Sequence, residues 1–426
     1  MQASRIQSRP LALPLTLLGA ATFALPLSAQ HFKKSVLVDK LLSPNGIAVE
    51  PSGNLLYTEV PDPGRFGARN TVSRFVMSSK TKQLVVGGEP GPRNISVTPN
   101  GDFYWTCDTA GVVFVFDQNG QRQIASGLKT PTGIAATPSG RVFLTLIPDP
   151  GKPMMGNEVA ELSGGRTTTI SMGEPEPVDI VADDMGNLYW TCRTAGVILR
   201  YDMATKQKSL VLDGLEAPTG IAMDGMGRLY FTEVPTPAKN AMNGGRNKVW
   251  RYDPSSKAMT LISFGEPEPH DVAVTRDGKT VYWTCRSAGV IVKGEEQMDS
   301  ASIGSTSSGK LGTIVNADLV APVREAGKAY FAATALGLGP IAIGQRFLAL
   351  SPDALFFLTL ANPAPSVFAG YMGMLDAQGM AKLSHPVPSD PALEGLHLNT
   401  AFLVIDPSSP DGLSKISDTL RIRIQK

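Results

Sequence analysis

Within the 426 residues, side chains suited to acid–base, metal or nucleophilic chemistry are few and widely spaced. There are four histidines, and His270 is the only one between residues 35 and 294. It stands in Glu268-Pro269-His270-Asp271, where an imidazole able to act as a general base near neutral pH adjoins a carboxyl group. Asn45, Asn94, Asp179 and Asp271 are oxygen donors of the kind that Ca2+ or Mg2+ prefers. Cys107, Cys192 and Cys285 are the only cysteines, an odd number that leaves at least one thiol unpaired. Three loops mix basic and apolar side chains: Arg65, Phe66 and Arg69; Lys152, Met154 and Met155; Lys239, Met242 and Arg246. Flexible methionines beside cations suit an amphipathic, anionic ligand; solvated surface loops are the plainer reading. Apart from His270 and Asp271, these groups are distant in sequence, so only the fold can bring them together.

The fold is written as a repeat. A proline, two variable residues and a β-branched residue recur from Pro44, Pro92, Pro131, Pro177, Pro218 and Pro269, at spacings of 48, 39, 46, 41 and 51. Each copy continues into an apolar strand, a glycine turn and a second strand such as GNLLYTEV or GDFYWTC, with two further β-like runs in most copies. Four strands per 40–50 residues is the pattern of a propeller blade, whose two exposed faces must be covered by neighbours around an axis. The sixth copy stops one strand short, and residues 35–39 match the fourth strand of the others, so they are expected to complete blade six and close the ring. Odd blades carry PxGIA and even blades GEPxP with YWTCxxAGV, so a pair of about 87 residues repeats three times.

The P-x-G-I-A entry, the G-x-L-Y-x-T strand and the AGVI-x-x-YD strand resemble the six-bladed propellers of the NHL and senescence-marker-protein (SMP-30)/gluconolactonase type over residues 35–294. That resemblance implies a central funnel, with the loops before the first strand and after the second sharing one mouth. It places Asn45, Arg93, Thr132, Val178, Thr219 and His270 there, followed by Gly46, Asn94, Gly133, Asp179, Gly220 and Asp271. Gluconolactonase-like enzymes hold a divalent cation with Glu, Asn and Asp at strand entries. Asn45 matches the Asn, while Asp179 and Asp271 each sit one position late and no Glu matches. The resemblance thus implies Asn45, Asp179 and Asp271 as metal ligands for Ca2+ or Mg2+, with His270 and Asp271 as catalytic candidates. A turn role for Asn45 and strand-entry hydrogen bonds for the aspartates compete with it. Glu268-Pro269-His270 and the TEVP strand ends also resemble the virginiamycin B lyase-like propellers, but the strand after His270 ends in Cys285 rather than Glu. Asn45, Asn94, Glu59, Glu233, Arg65, Arg69 and Arg246 are the candidate ligand contacts at this mouth.

The cysteines occupy equivalent places in alternate blades, too far apart for a disulfide's Cα separation of about 7 Å or a shared zinc. They read as small buried apolar residues. Blades four and six combine Glu176 or Glu268 with Arg193 or Arg286, whereas blade two has lost that Glu and gained Asp108 beside Arg93. Acid and base changing together is what an ion pair inside each blade produces.

Composition narrows the partners. Lys and Arg number 39 against 38 Asp and Glu, which argues against a nucleic-acid surface. With 43 Gly and 33 Pro, and only 18% charged residues, the chain reads as turn-rich β structure. Residues 1–29 read as a signal peptide, with Arg5 and Arg9 before an uncharged apolar stretch and Ser28-Ala29 as the cleavage site. No later stretch reaches the ~20 apolar residues of a spanning helix, so the product is expected to be secreted or periplasmic, without a transmembrane segment. After a Ser/Gly-rich linker (295–310), residues 311–426 alternate apolar runs and turns, including ALFFLTL, and suggest a β-sandwich like the C-terminal modules of some secreted bacterial proteins. Three functions fit this organisation. The first is a propeller binding a small molecule, glycan or protein at its funnel. The second is a divalent-cation-dependent lactone hydrolase or lyase of the gluconolactonase kind. The third is an architectural unit tethered by its sandwich.

Overall fold

The computed structural model describes residues 31–426 except 63–68, 149–155, 236–245, 298, 345 and 362–363. Residues 1–29, expected to be a signal peptide, and Arg65, Phe66, Lys152, Met154, Met155, Lys239 and Met242 lie outside the described residues. Six antiparallel four-stranded units follow one another along the chain. Their first strands are Pro44–Val49, Pro92–Val97, Pro131–Ala136, Pro177–Ala182, Pro218–Met223 and Pro269–Val274. Each of these touches the first strand of the next unit, and the sixth touches the first, so they form a closed inner ring. The sixth unit borrows its fourth strand from the other end: Phe32–Val38 pairs antiparallel with Val290–Glu296, with Val36 opposite Val292. The closing strand begins three residues earlier than the repeat alone indicates, because Phe32 is buried against Trp283 and Val292.

The core lies between sheets rather than within one. Ala48, Leu56 and Val72 of blade one pack on Ile95, Phe103 and Trp105 of blade two, and Tyr230, Val249 and Ile262 of blade five on Val272, Val281 and Trp283 of blade six. Each fully buried side chain contributes about 1.5–3 kcal/mol, and this is why the apolar faces of single blades require the ring.

Each first strand starts at its proline, a position that needs no ladder N–H, and shifts register before the β-branched residue. A threonine on the second strand fills each irregularity. Thr58, Thr106, Thr145, Thr191, Thr232 and Thr284 are all fully buried. They accept the N–H of Gly46, Asn94, Gly133, Asp179, Gly220 and Asp271 at 2.7–3.3 Å. Each then donates to a carbonyl of the following blade, namely Arg93, Thr132, Val178, Thr219, His270 and, across the closure, Asn45. Six hydroxyls thus staple six blades around the axis.

Beyond the propeller, two sheets face each other across Val315, Leu319, Leu383, Tyr330, Phe402 and Leu420, making the sandwich. The stretch expected as a free linker is partly structured, since Ser302–Gly304 pairs with residues 318–320. ALFFLTL, expected to be a β-run, is a helix, Ala354–Ala361. A short apolar run has no periodicity to tell strand from helix. The decision falls to Asp353, whose carboxylate accepts the Phe356 N–H at 3.0 Å as a cap. The sandwich docks on blade five, where Thr419 and Leu420 pair with Met259 and Ala258. Asp213 adds contacts to His397 at 2.6 Å and Arg423 at 2.9 Å.

Candidate functional site

The residues following the repeat prolines gather at one mouth, and what they do there alternates by blade. In odd blades the next position is glycine because there is no room for anything else. A Cβ on Gly46 would lie 2.8 Å from the Asn94 Cα, on Gly133 2.7 Å from the Asp179 Cα, and on Gly220 2.6 Å from the Asp271 Cα. The even-blade partners, Asn94, Asp179 and Asp271, therefore converge on the axis. The Asp271 carboxyl accepts the N–H of Val272 and of Ile47 in blade one, both at 2.8 Å, and the Asn94 amide at 3.3 Å. Asp179 accepts the N–H of Ile180 and of Ile221 in blade five, both at 2.8 Å. The two carboxyls also hydrogen-bond each other. Burial pushes Asp179 up to about 7. Burial and then the neighbouring Asp179 charge push Asp271 well above the carboxylate range. They form a proton-sharing pair.

This donor set does not fit the expected cation. A divalent ion needs ionised oxygens with open lone pairs, while all four carboxyl oxygens here already accept an N–H and the pair retains a proton. Among the described residues no group of three or more His, Cys, Asp or Glu could hold a metal. The one feature in its favour is Asn45, whose amide oxygen is buried without a partner, whereas Thr132 and Thr219 at the equivalent positions bond to Thr145 and Thr232, both at 2.8 Å.

Outward of the acid pair sits His270. Burial and the positive charges of Arg93, Arg286 and Arg193 hold its imidazole well below its ordinary value, so it is neutral. These arginines come from three different blades. Arg93 pairs with Asp108 at 3.3 Å, while Arg193–Glu176 and Arg286–Glu268 are each 3.9 Å apart, beyond hydrogen-bond distance. The intra-blade pairs expected from the covarying acid and base are therefore present but loose. Blade two differs for a steric reason. The residue before every repeat proline is left-handed, and there it is Gly91, where a Cβ would lie 2.8 Å from the Asp108 carboxylate. A cavity of about 10 Å3, water-sized, is lined by Arg93, Thr132, His270, Asp179 and Asp271.

The strand-end glutamates serve the frame. Glu233 is buried and accepts Trp250 Nε1 at 2.8 Å, the Glu216 N–H at 2.6 Å and Lys248 Nζ at 3.3 Å. Glu59 accepts the Leu42 N–H at 2.6 Å. In even blades Glu89, Glu174 and Glu266 accept the indole N–H of Trp105, Trp190 and Trp283 at 2.8–3.0 Å and lie against the sulfurs of Cys107, Cys192 and Cys285. All three cysteines are free and buried, and desolvation with the adjacent carboxylates pushes their thiols up. On the rim, Arg69 and Arg246 are exposed and face Asp62 at 3.3 Å and Glu216 at 3.2 Å. The sequence reading missed the threonine staples, although a threonine stands at the same place in every copy. It also missed that the charges of Arg93, Arg193 and Arg286 all act on one imidazole.

No protein-family model matches the chain, and no curated protein matches it by sequence. Solved structures do match in fold. A gluconolactonase from Xanthomonas campestris aligns with 64% of this chain and 92% of its own at 12% identity, with a TM-score of 0.51. A calcium-binding protein, regucalcin, from Agrobacterium tumefaciens aligns with 62% and 96% at 13% identity, with a TM-score of 0.49. Virginiamycin B lyase from Staphylococcus aureus aligns with 62% and 99% at 16% identity, with a TM-score of 0.46. Among the described residues no helix is long and apolar enough to cross a membrane.

Proposed function

We propose that this chain is an exported propeller that binds a small anionic group, a carboxylate or phosphate, at the mouth where its repeat prolines enter. The group is carried by a free molecule, a glycan or a protein. The observation behind this reading is that Arg93 lines the cavity beside His270 while the positive charges of Arg193 and Arg286, from blades four and six, also bear on that neutral imidazole. Arg193 and Arg286 stand 3.9 Å from their carboxylates, so their planar forks have donors to spare. His270 completes the set as a neutral group that can donate or accept. Threefold placement suits a ligand with more than one acidic group. Citrate and inorganic phosphate are fitting calorimetric probes. Arg193→Gln with Arg286→Gln should weaken citrate binding roughly tenfold or more, and Arg276→Gln, in the opposite opening, should not. Citrate binding that is absent, or indifferent to Arg193 and Arg286, would overturn this reading.

A second reading, hydrolysis or elimination, is favoured by the water-sized cavity that His270 shares with Asp179 and Asp271. A neutral imidazole beside a water site is equipped as a general base, and neighbouring arginines would steady developing negative charge. Turnover of a lactone such as gluconolactone that disappears in His270→Ala, yet persists in excess chelator, supports it. Absence of turnover leaves binding alone.

A further inference from the structure

A second concavity, used by neither reading above, opens where the sandwich docks on blade five. It is a cleft of about 840 Å3, and small-molecule sites favour clefts of this size at junctions between domains. One wall is blade five at Asp253, Ser256 and Ala258, and the other is the sandwich at Ser302, Asn316 and Ser384. The two are joined by the Ser305 N–H, which donates to the Ser256 carbonyl at 3.2 Å, and by the Lys257 ammonium on the Ser307 carbonyl. The charged groups of the lining are already spent. Arg228 pairs with Asp224 at 2.6 Å, Arg251 with Glu296 and Lys382 with Asp318 at 3.5 Å, while Asp253 accepts the Ser255 hydroxyl at 2.6 Å. The uncharged polar groups are not. The side chains of Ser302, Thr306, Asn316 and Ser384 line the cleft and make no hydrogen bond among the described residues. Asp418 stands with them, only 7% exposed. Its carboxyl accepts the Ile303 N–H at 2.7 Å, and no side chain among the described residues hydrogen-bonds to it. Burial pushes it up to about 7, so below that pH it can donate as well as accept.

We infer that this cleft binds a neutral oligosaccharide of two to three pyranose rings, its hydroxyls meeting Ser302, Thr306, Asn316, Ser384 and the Asp418 carboxyl. Each of these side chains both donates and accepts, as a sugar hydroxyl does, so the two surfaces can satisfy one another in either direction. With every lining cation already paired, a strongly anionic ligand gains no partner here and loses its hydration. Between the polar groups lie Ala258, Ala317 and Ala369, small apolar surfaces that suit the C–H faces of a pyranose. At about 30 Å3 per water-sized group, the cleft takes roughly 28 heavy atoms, which lies between a disaccharide and a trisaccharide. The site is separate from the mouth and from its preference for acids, so the two proposals stand or fall separately.

Calorimetry of the intact protein with maltotriose, cellotriose and triacetylchitotriose tests it, with trigalacturonate as the charged comparison. The inference expects at least one neutral trisaccharide to bind with a Kd of about 1 mM or tighter, and about tenfold or more tightly than trigalacturonate. Asn316 is exposed and Ser384 half-buried, so Asn316→Ala with Ser384→Ala should leave the fold intact and weaken that binding roughly tenfold. Arg276→Gln, at the far opening of the propeller, should leave it unchanged, and excess citrate should not compete. Should the double variant fail to fold, the unaltered protein still decides through the trigalacturonate and citrate comparisons. No binding by any of the three neutral sugars, equal binding of trigalacturonate, displacement by citrate, or undiminished affinity in the folded double variant would each refute the site.

Discussion

Thr284→Val removes one hydroxyl from the joint between blade six and blade one. That hydroxyl accepts the Asp271 N–H at 3.1 Å and donates to the Asn45 carbonyl at 2.7 Å, and both residues are buried. Orphaning a buried polar group costs about 1–3 kcal/mol, so two cost about 2–6 kcal/mol. The added methyl returns at most about 0.8 kcal/mol. A net loss of about 1–5 kcal/mol follows, which for a propeller of this size lowers Tm by roughly 3–15 °C. Thr106→Val makes the same change at an internal joint, between blades two and three. If the ring is closed, the two variants should lose similar stability in urea melts. An exposed control, Thr81→Val, should stay within about 0.5 kcal/mol of the parent. Should Thr106→Val be destabilised and Thr284→Val not, the blades form an open stack and the closure argument is wrong.

Other outcomes follow from the same geometry. Asp179 has its folded pKa raised to about 7, so the folded state holds a proton that the unfolded chain gives up near pH 4. Stability should therefore fall as pH rises from about 4 through 7, and Asp179→Asn should flatten that slope in urea midpoints measured across the range. A slope identical to the parent's would deny the shared proton. Glu266 accepts Lys34 of the closing strand at 2.6 Å and the Trp283 indole at 3.0 Å, so Glu266→Ala should cost about 3–5 kcal/mol and speed exchange of the amides in Phe32–Val38. Thiol reagents should modify no cysteine in the native protein and all three in denaturant.

What the sequence disclosed depends on where each signal resides. Blade order, the borrowed closing strand, the unbridged cysteines and the Glu–Arg pairs all lie within one repeat or between equivalent positions of successive repeats, so spacing alone exposes them. Contacts formed between blades leave no such trace. Nothing about Arg93, Arg193 and Arg286 individually says that their charges act on one imidazole, and Asp179 and Asp271 are 92 positions apart yet share a proton. Glu59 and Glu233 were expected at a ligand because carboxylates at strand ends suggest it, but Leu42, Glu216 and Trp250 supply donors that only the tertiary fold brings close. In the sandwich, a single cap at Asp353 outweighs the strand-like composition of the run that follows it.

The arginine-ringed mouth is tested most directly by titrating the His270 imidazole by NMR in the parent and in Arg193→Gln/Arg286→Gln. Desolvated and under the positive charges of Arg93, Arg286 and Arg193, His270 should stay neutral at about pH 6 in the parent, below its ordinary value of about 6.5. Its pKa should move upward when two arginines are lost, and again when citrate binds the parent. An imidazole that titrates near 6.5 in both proteins and ignores citrate would contradict the account.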